Sequence, residues 1–267
     1  MSETDNHLTT SQINDLAQHL ESAELNGVDV HKITDDYPDM TWKDAYDIQW
    51  AIRARKVAAG HQMVGLKMGL TSWAKMKQMG VDTPCYGFLA DYFAVPDGGE
   101  IHMDELTHPK IEAEIAFVTN SILRGPDVDI DVVLGATDYV LPAMEVIDSR
   151  YRDFKFDLKS VVADNTSAAR FVTGQNTAKI RDLDLETLSV ELEINGEVVE
   201  SGTGAAILGH PAKAIAMLAN MLAERGKVIP AGTFVMCGAM TAAVTVNKGD
   251  HVRARYEGLG HVDVHCV

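Results

Sequence analysis

The sequence predicts an α+β protein: a β-rich body, closed or rolled from a mixed or mainly antiparallel sheet, preceded by a helical segment. From residue 62 onwards, short runs of β-type residues alternate with glycines, and one strong helical pattern interrupts them. Residues 1–60 instead carry apolar side chains at helical spacing. Because few crossover helices separate the strands, the pattern argues against a doubly wound parallel sheet.

Two helices are predicted in the N-terminal segment. The first starts after Thr9 or Thr10, whose hydroxyls can cap a helix, and ends at Gly27, a residue type that often follows a helix. The second starts at Thr41 and ends near Gly60. Since no separate core is visible, we expect a helical segment that forms one structural unit with the rest of the chain.

The strands and helices of the body follow in order. A short helix is predicted over Trp73–Met79 and a strong one over 211–225, where a proline suits the first turn. Asn195-Gly196 is the strongest hairpin dipeptide in the chain. We expect residues 61–267 to form the β-rich catalytic domain. Its main predicted strands cover 63–69, 93–96, 111–118, 140–146, 190–194, 197–200, 233–236, 243–246, 252–256 and 262–265.

Composition narrows the class of protein. The chain has 267 residues, 46% of them hydrophobic, which is enough for a full core. Its net charge of -16 argues against nucleic acid or an anionic membrane as a partner. A polar N-terminus and the absence of any run of about 18 apolar residues predict a cytoplasmic location. Cys85, Cys237 and Cys266 are expected to be reduced thiols.

A Glu-x-Glu pair in residues 110–117 is the leading candidate site. In a strand, Glu112 and Glu114 share one face with Cα atoms roughly 7 Å apart, so they can converge on one ion. Glu145 could add a third oxygen ligand for a hard divalent cation. The alternative is a solvated strand face, which this pattern alone favours by about four to one.

The same pattern recurs at Glu191 and Glu193. There it runs directly into Asn195-Gly196, which predicts a water-facing hairpin rather than a site. The two copies can be separated only by the residues that surround them.

Several other polar residues are candidates. Lys67 lies in an apolar, glycine-flanked strand, where burial would lower its pKa for acid–base chemistry, or where it could extend to solvent at a sheet edge. Asp91 follows an apolar run and can form a turn or act in a site. Asp164 and Asn165 could form Asx turns and nothing more, and Arg150 could pair with an acid.

Five segments carry a family resemblance, and they occur in order along nearly the whole chain. The chain resembles the hydratase and decarboxylase branch of the fumarylacetoacetate hydrolase superfamily. The sister hydratases usually have Arg-Lys-Ile-Gly where this chain has Leu66-Lys67-Met68-Gly69, a difference that favours a decarboxylase. The segments are 65–72, 86–91, 108–114, 145–150 and 162–165.

The resemblance implies a fold and a set of site residues. The expected fold is the rolled mixed β-sheet of the fumarylacetoacetate hydrolase C-terminal domain. The implied cofactor is Mg²⁺ or Mn²⁺, with Glu112, Glu114 and Glu145 as its ligands and Lys67 as the catalytic residue. The implied substrate-binding residues are Leu66, Ser72, Asp91 and Ser167.

The resemblance also implies an activity. The expected reaction is metal-dependent decarboxylation of a small 2-oxo dicarboxylate, 2-oxohex-3-enedioate, to 2-hydroxypenta-2,4-dienoate and CO₂ during catechol meta-cleavage. Expected partners are a sister 2-hydroxypentadienoate hydratase and further copies of the same chain. The departing carboxylate could be bound by a cation, and none of the four candidates is favoured by spacing: Arg150, Lys155, Lys159 and Arg170.

Other functions remain open at this point. The chain could be a hydratase that adds water to 2-hydroxypentadienoate, or a C–C hydrolase acting on an acylpyruvate. Hydrolysis usually needs a His-Glu pair near the metal, and the N-terminal segment shows none. A mainly structural subunit of a hydratase complex is the candidate from a different class.

Overall fold

A computed structural model describes residues 7–267, apart from the side chains of residues 78 and 79. Residues 1–6 lie outside the described residues. They belong to the polar N-terminus from which a cytoplasmic location is expected. Two helices come first, and both begin at a capping box in which a threonine accepts a hydrogen bond from the third helical residue. The helices are α1 (Thr10–Asn26), which ends at left-handed Gly27, and α2 (Trp42–Ala58).

The β-rich body begins at residue 63. Its strands are β1 (Met63–Gly69), β2 (Cys85–Ala90), β3 (Ala94–Val95), β4 (Gly99–Ile101), β5 (Pro109–Thr119), β6 (Thr137–Asp148), β7 (Ala168–Thr173), β8 (Ser189–Ile194), β9 (Glu197–Thr203), β10 (Phe234–Ala239), β11 (Val244–Thr245), β12 (His251–Tyr256) and β13 (Gly260–Cys266). Its helices are α3 (Trp73–Met79), α4 (Ile130–Gly135), α5 (Leu158–Ala163) and α6 (Pro211–Glu224).

The strands form two sheets. The larger has the order β2-β1-β10-β5-β6-β7-β3, with β11 also paired to β5, and the smaller has the order β4-β13-β12-β8-β9. Most pairs are antiparallel, whereas β1–β10, β3–β7 and β4–β13 are parallel. The prediction of a mixed sheet is confirmed. The sequence patterns did not reveal β2, β4, β7, α4 or α5 as elements.

The two faces of β5 have different partners. Ile111, Ala113, Ile115 and Phe117 are buried in the main core, which includes residues of the smaller sheet and of α6. The opposite face carries Glu112 and Glu114, and a second cluster of buried apolar side chains lies on this face. That second cluster contains Leu89, Phe93, Ala116, Ala143, Phe171 and Met236. The strand therefore separates the core from a partly apolar cleft face.

The β8–β9 hairpin behaves as predicted. Asn195 and Gly196 have φ of 55° and 85°, the left-handed pair that a tight hairpin turn requires. Glu191 is exposed, and Glu193 pairs with Arg255. The duplicate Glu-x-Glu is a surface feature.

One stretch, Gly204–Glu224, has a mean hydropathy of 1.2 and is apolar and long enough to cross a membrane. Its regular part, α6, has 14 residues and is about 21 Å long at 1.5 Å per residue. Leu218 and Leu222 of α6 are buried in the main core. The stretch is therefore packed as a core helix.

Candidate metal centre

Three glutamates meet on the cleft face of the larger sheet. Glu112 and Glu145 are directly opposite each other in the β5–β6 ladder, and Glu114 is two residues further along β5 on the same face. One carboxylate oxygen from each lies within 4.8 Å of the other two. Glu114 and Glu145 are buried, whereas Glu112 is partly exposed. The register therefore produces a compact cluster of three carboxylates with one side open.

Lys67 reaches this cluster from β1. Its Nζ lies 2.5 Å from Glu145 Oε1, and both side chains are buried. In the order of the sheet, β10 and β5 lie between β1 and β6, so the two strands are three spacings apart, about 14 Å in a flat sheet. A direct ion pair across that distance shows that the sheet curls around the cleft face, as the predicted rolled sheet requires.

Glu114 is held from two sides. Its Oε2 accepts a hydrogen bond of 2.9 Å from the Gly238 N–H. Its own N–H donates to the Tyr256 hydroxyl, which in turn donates to the Ala143 carbonyl at 2.5 Å. Burial raises the pKa of Tyr256, which keeps the phenol protonated as a donor. The smaller sheet thus fixes the strand that carries the carboxylate.

The carboxylates are incompletely paired. Among the described residues, Glu114 Oε1 and Glu145 Oε2 are buried without a hydrogen-bond partner. Burial and the charge of Glu145 raise the pKa of Glu112 to about 7 and that of Glu114 well above its usual range. When a cation keeps all three ionised, the carboxylates exceed the Lys67 ammonium by two negative charges. Oxygen ligands with an excess of two negative charges fit a hard divalent cation such as Mg²⁺.

The expectation of a lowered Lys67 pKa is wrong. Burial does lower it, but the charges of Glu145, Glu114 and Glu112 outweigh burial and raise the pKa above its usual value. Lys67 is therefore an ammonium at neutral pH when the carboxylates hold no cation. It can donate hydrogen bonds and balance negative charge, and it is not a general base in this state.

A turn at residues 165–167 adjoins Lys67. Lys67 Nζ donates to the Thr166 carbonyl at 3.1 Å. Ser167 is 3% exposed, and its buried hydroxyl has no hydrogen-bond partner among the described residues. Ser72 begins α3 without a side-chain capping bond. Lys75, also on α3, is close enough for its charge to lower the pKa of Glu112, so this helix lies near the cleft.

Two predicted substrate-binding residues do not join the cluster. Leu66 points to the face opposite Lys67, because successive strand residues alternate, and it packs against the main core. Asp91 caps the turn after β2, where it accepts hydrogen bonds from the Gln62 and Tyr92 main chains. It is four residues beyond Gly87, the partner of Lys67 in the β1–β2 ladder. Neither side chain contacts the three carboxylates in this structure, and their assignment to substrate binding stays a prediction.

Two of the cationic side chains that could bind the departing carboxylate, those of Arg150 and Arg170, already have partners within the chain. Arg150 is buried and donates to Asp164 Oδ1 at 2.6 Å and to the carbonyls of Asp148 and Ala168, so its hydrogen bonds are used internally. The prediction that Arg150 pairs with an acid of its own chain is confirmed. Arg170 pairs with Glu105 at 2.7 Å.

The three cysteines are free, as predicted, and all three are buried. Burial raises the pKa of the Cys85 thiol to about 11, so it is protonated at neutral pH. Burial also raises the pKa of the Cys237 and Cys266 thiols, so none of the three favours the thiolate form that a nucleophile needs.

The supporting roles of three residues were not predicted from the sequence: Gly238, Tyr256 and Asn165. A glycine that ends a strand pattern can indicate a bulge or a close approach, and this signal was present at Gly238. Tyr256 and Asn165 act through contacts more than 75 residues away in sequence, for which no local signal exists.

The chain matches the model of a known protein family. The model of the fumarylacetoacetate (FAA) hydrolase C-terminal family matches residues 70–267. This range includes the three glutamates and begins three residues after Lys67.

Individual relatives cover almost the full length. The chain is 62% identical to a "4-oxalocrotonate decarboxylase" of Pseudomonas sp. (strain CF600), over 97% of this chain and 98% of the relative. It is 37% identical to a "2-keto-4-pentenoate hydratase" of Paraburkholderia xenovorans (strain LB400), over 96% and 95%.

A solved structure agrees with the fold. The 4-oxalocrotonate decarboxylase from Pseudomonas putida G7, complexed with magnesium and adipate, superimposes with a TM-score of 0.97 at 59% identity and covers 98% of this chain and 100% of that one. The chain belongs to the fumarylacetoacetate hydrolase family.

Proposed function

We propose that this protein is a carboxy-lyase that decarboxylates 2-oxohex-3-enedioate to 2-hydroxypenta-2,4-dienoate and CO₂ in the meta-cleavage breakdown of aromatic compounds. The observation that carries the proposal is the cluster of Glu112, Glu114 and Glu145, with buried unpaired oxygens, beside the Lys67 ammonium. The 62% identity to a relative with that printed name supports the same reaction.

Glu112, Glu114 and Glu145 would hold Mg²⁺ or Mn²⁺. The solved relative with magnesium supports this assignment. When bound, the cation supplies Lewis acidity toward the carboxylate and keto oxygens at one end of a 2-oxo acid. Gly238 keeps Glu114 oriented, and the apolar residues on the same face limit access of water to the cluster.

The other residues act on the organic substrate. The bond to the distal carboxylate breaks, its electron pair moves through the conjugated alkene to the keto oxygen, and that oxygen gains negative charge before protonation. Lys67 is an ammonium on this face and balances the developing charge. The unpaired Ser167 hydroxyl and the Ser72 hydroxyl are available to donate to substrate carboxylates.

The experiment is product identification with the isolated chain. Substrate labelled with ¹³C in the distal carboxylate is incubated with Mg²⁺ and followed by NMR. The proposal predicts labelled CO₂ and the unlabelled dienoate. A hydratase, which the 37% identical relative makes the second candidate, would leave the label in the acid and would add water to supplied 2-hydroxypentadienoate instead. Failure of both reactions would favour a mainly structural subunit.

The proposal also covers the location, the partners and the domain organisation of the protein. We infer a cytoplasmic enzyme that self-associates and binds a sister hydratase, which would take up its labile product. The similarity to several hydratases supports a relationship between the two enzymes. Residues 1–60 would act as a helical segment of one unit with 61–267; the bonds from Gln49 to the Tyr86 and Val162 carbonyls support this.

A further inference from the structure

Residues 165–167 form an unusual left-handed turn between α5 and β7. Asn165, Thr166 and Ser167 have φ of 49°, 52° and 58°. Left-handed backbone costs an L-residue other than glycine roughly 1–2 kcal/mol. Three such residues in succession therefore persist only if other contacts hold the turn.

Asn165 provides two of these contacts. Its Oδ1 accepts from the Phe88 N–H at 2.9 Å, and its Nδ2 donates to the Phe88 carbonyl at 3.0 Å. Because β2 is an edge strand, this side of Phe88 has no neighbouring strand. The amide of Asn165 takes the place that a further strand would occupy.

Gly87 allows the turn to come this close. A Cβ at this position would lie 2.6 Å from Thr166 Oγ1 and 3.0 Å from the Asn165 carbonyl oxygen. Any larger residue would push the turn away from β2. On its other side the turn is held by Asp164, whose carbonyl accepts from Ser167 N at 3.0 Å and from Arg150 Nη2 at 2.5 Å.

The turn determines what Lys67 contacts. Lys67 is opposite Gly87 in the β1–β2 ladder, and its Nζ lies 3.1 Å from the Thr166 carbonyl and 2.5 Å from Glu145. The Thr166 hydroxyl donates to the Asn165 carbonyl at 2.7 Å, so it stays within the turn. Lys67 therefore has two acceptors: the Glu145 carboxylate and the neutral main-chain carbonyl of Thr166.

We propose that Asn165 is a positioning residue for Lys67: by bonding to both main-chain groups of Phe88 it holds the left-handed turn, and the turn places the Thr166 carbonyl against the Lys67 ammonium. Without Asn165, the Lys67 ammonium would keep its contact with Glu145 and lose its contact with Thr166. It would then move away from the position in which it can balance charge on the substrate. This inference rests on the proposed decarboxylation only for its kinetic measurement.

The test compares Asn165→Ala with Asn195→Ala. Asn195 is a matched control because it is also left-handed and its side chain also makes two hydrogen bonds, but it lies in the exposed β8–β9 hairpin. The expected result for Asn165→Ala is a fall in kcat of about 10- to 100-fold, with Mn²⁺ affinity by EPR within twofold of wild type. The Asn195→Ala variant should keep both values.

A crystal structure of Asn165→Ala gives a measurement that does not depend on the reaction. The expected distance from Lys67 Nζ to the Thr166 carbonyl is well beyond hydrogen-bonding range. An unchanged distance, an unchanged kcat, or a parallel loss of kcat and Mn²⁺ affinity would each overturn the inference. If the wild type releases no CO₂, the proposed decarboxylation fails, and the crystal structure alone decides the positioning role.

A second pair of variants guards against loss of folding. Asn165→Asp keeps the acceptor for the Phe88 N–H but places a carboxylate oxygen against the Phe88 carbonyl, so kcat should fall at least as far as in Asn165→Ala. Gly87→Ala should reproduce the full effect from the opposite side of the contact. If both folded variants have wild-type kcat and an unmoved turn, Asn165 has no positioning role.

Discussion

Glu112 and Glu145 come together because the β5–β6 register aligns them, and Glu114 joins them because strand side chains repeat every second residue. Sequence alone could place Glu112 and Glu114 on one face, but the same reasoning applied to Glu191 and Glu193. Only the tertiary partners distinguish the two pairs. The first lies beside the buried Lys67 ammonium, whereas the second faces water and Arg255.

Replacement of Glu114 with Gln tests this difference. The change removes one negative charge from the cluster while it preserves the side-chain shape, so affinity for Mn²⁺ should fall at least about tenfold. Titration calorimetry measures it. Glu191→Gln is the matched control, since it alters the same motif on the surface, and its affinity should equal that of wild type. Equal affinities in both variants would remove Glu114 from the site.

Replacement of Lys67 with Met tests the ion pair. Removal of one partner of a buried pair leaves Glu145 uncompensated, so the metal-free variant should lose about 3 kcal/mol of unfolding free energy. A divalent cation then compensates the carboxylates, so saturating Mg²⁺ should stabilise the variant more than it stabilises wild type.

Denaturation in EDTA and in Mg²⁺ measures both effects. Lys155→Met is the control, because this lysine is highly exposed beside Asp153 and its loss should change little. If Mg²⁺ raised the unfolding free energy of the Lys67 variant and of wild type equally, the ammonium and the cation would not interact with the same carboxylates.

At the scale of elements, the patterns that the sequence predicted well are those set by local periodicity. α1 and α2 start where their caps place them, and β1 matches the glycine-flanked apolar run that predicted it. β2 was missed because all six of its residues are buried, which removes the alternation that marks a half-buried strand. The resemblance assigned Leu66 and Asp91 to substrate binding. Strand alternation and the turn after β2 place their side chains away from the three carboxylates, and the assignment itself stays a prediction.

The irregular end of β10 is essential to the site. Gly238 has φ of 102°, and a Cβ there would lie 2.1 Å from Thr71 Oγ1. Gly238→Ala should therefore displace the main chain that donates to Glu114 and weaken Mn²⁺ affinity by about tenfold.

Gly232→Ala is the control for this substitution. Gly232 also has a positive φ, 77°, but nothing lies within 4 Å of its Cβ position. It should lose only about 1 kcal/mol of stability, measured by urea unfolding, and keep its metal affinity. Wild-type Mn²⁺ affinity in Gly238→Ala would contradict the role given to this strand end.

At the scale of the molecule, composition and strand content predicted the class of fold, whereas the curl that brings β1 to β6 could not be predicted. That curl depends on pairings between strands that are distant in sequence, such as β1 with β10. The Lys67–Glu145 contact spans 78 residues and has no local signal.

Cation binding should stabilise the whole fold, because it neutralises three carboxylates that lie within 4.8 Å of one another and destabilise each other's charged form. At a Mg²⁺ concentration of about 100 times Kd, the expected gain in unfolding free energy is about 2.7 kcal/mol. Thermal denaturation with and without Mg²⁺ measures it. Glu114→Gln should show a clearly smaller gain at the same concentration, and no gain in wild type would argue against a resident cation.

The most direct measurement is the rate of CO₂ release from 2-oxohex-3-enedioate as a function of Mg²⁺ concentration, for wild type, Glu114→Gln and Glu191→Gln. We predict no release above background after complete metal removal, saturation for wild type and Glu191→Gln at the same concentration, and a need for much more Mg²⁺ in Glu114→Gln. Release that persists without metal, or an unchanged titration in Glu114→Gln, would contradict a decarboxylation centre built on these carboxylates.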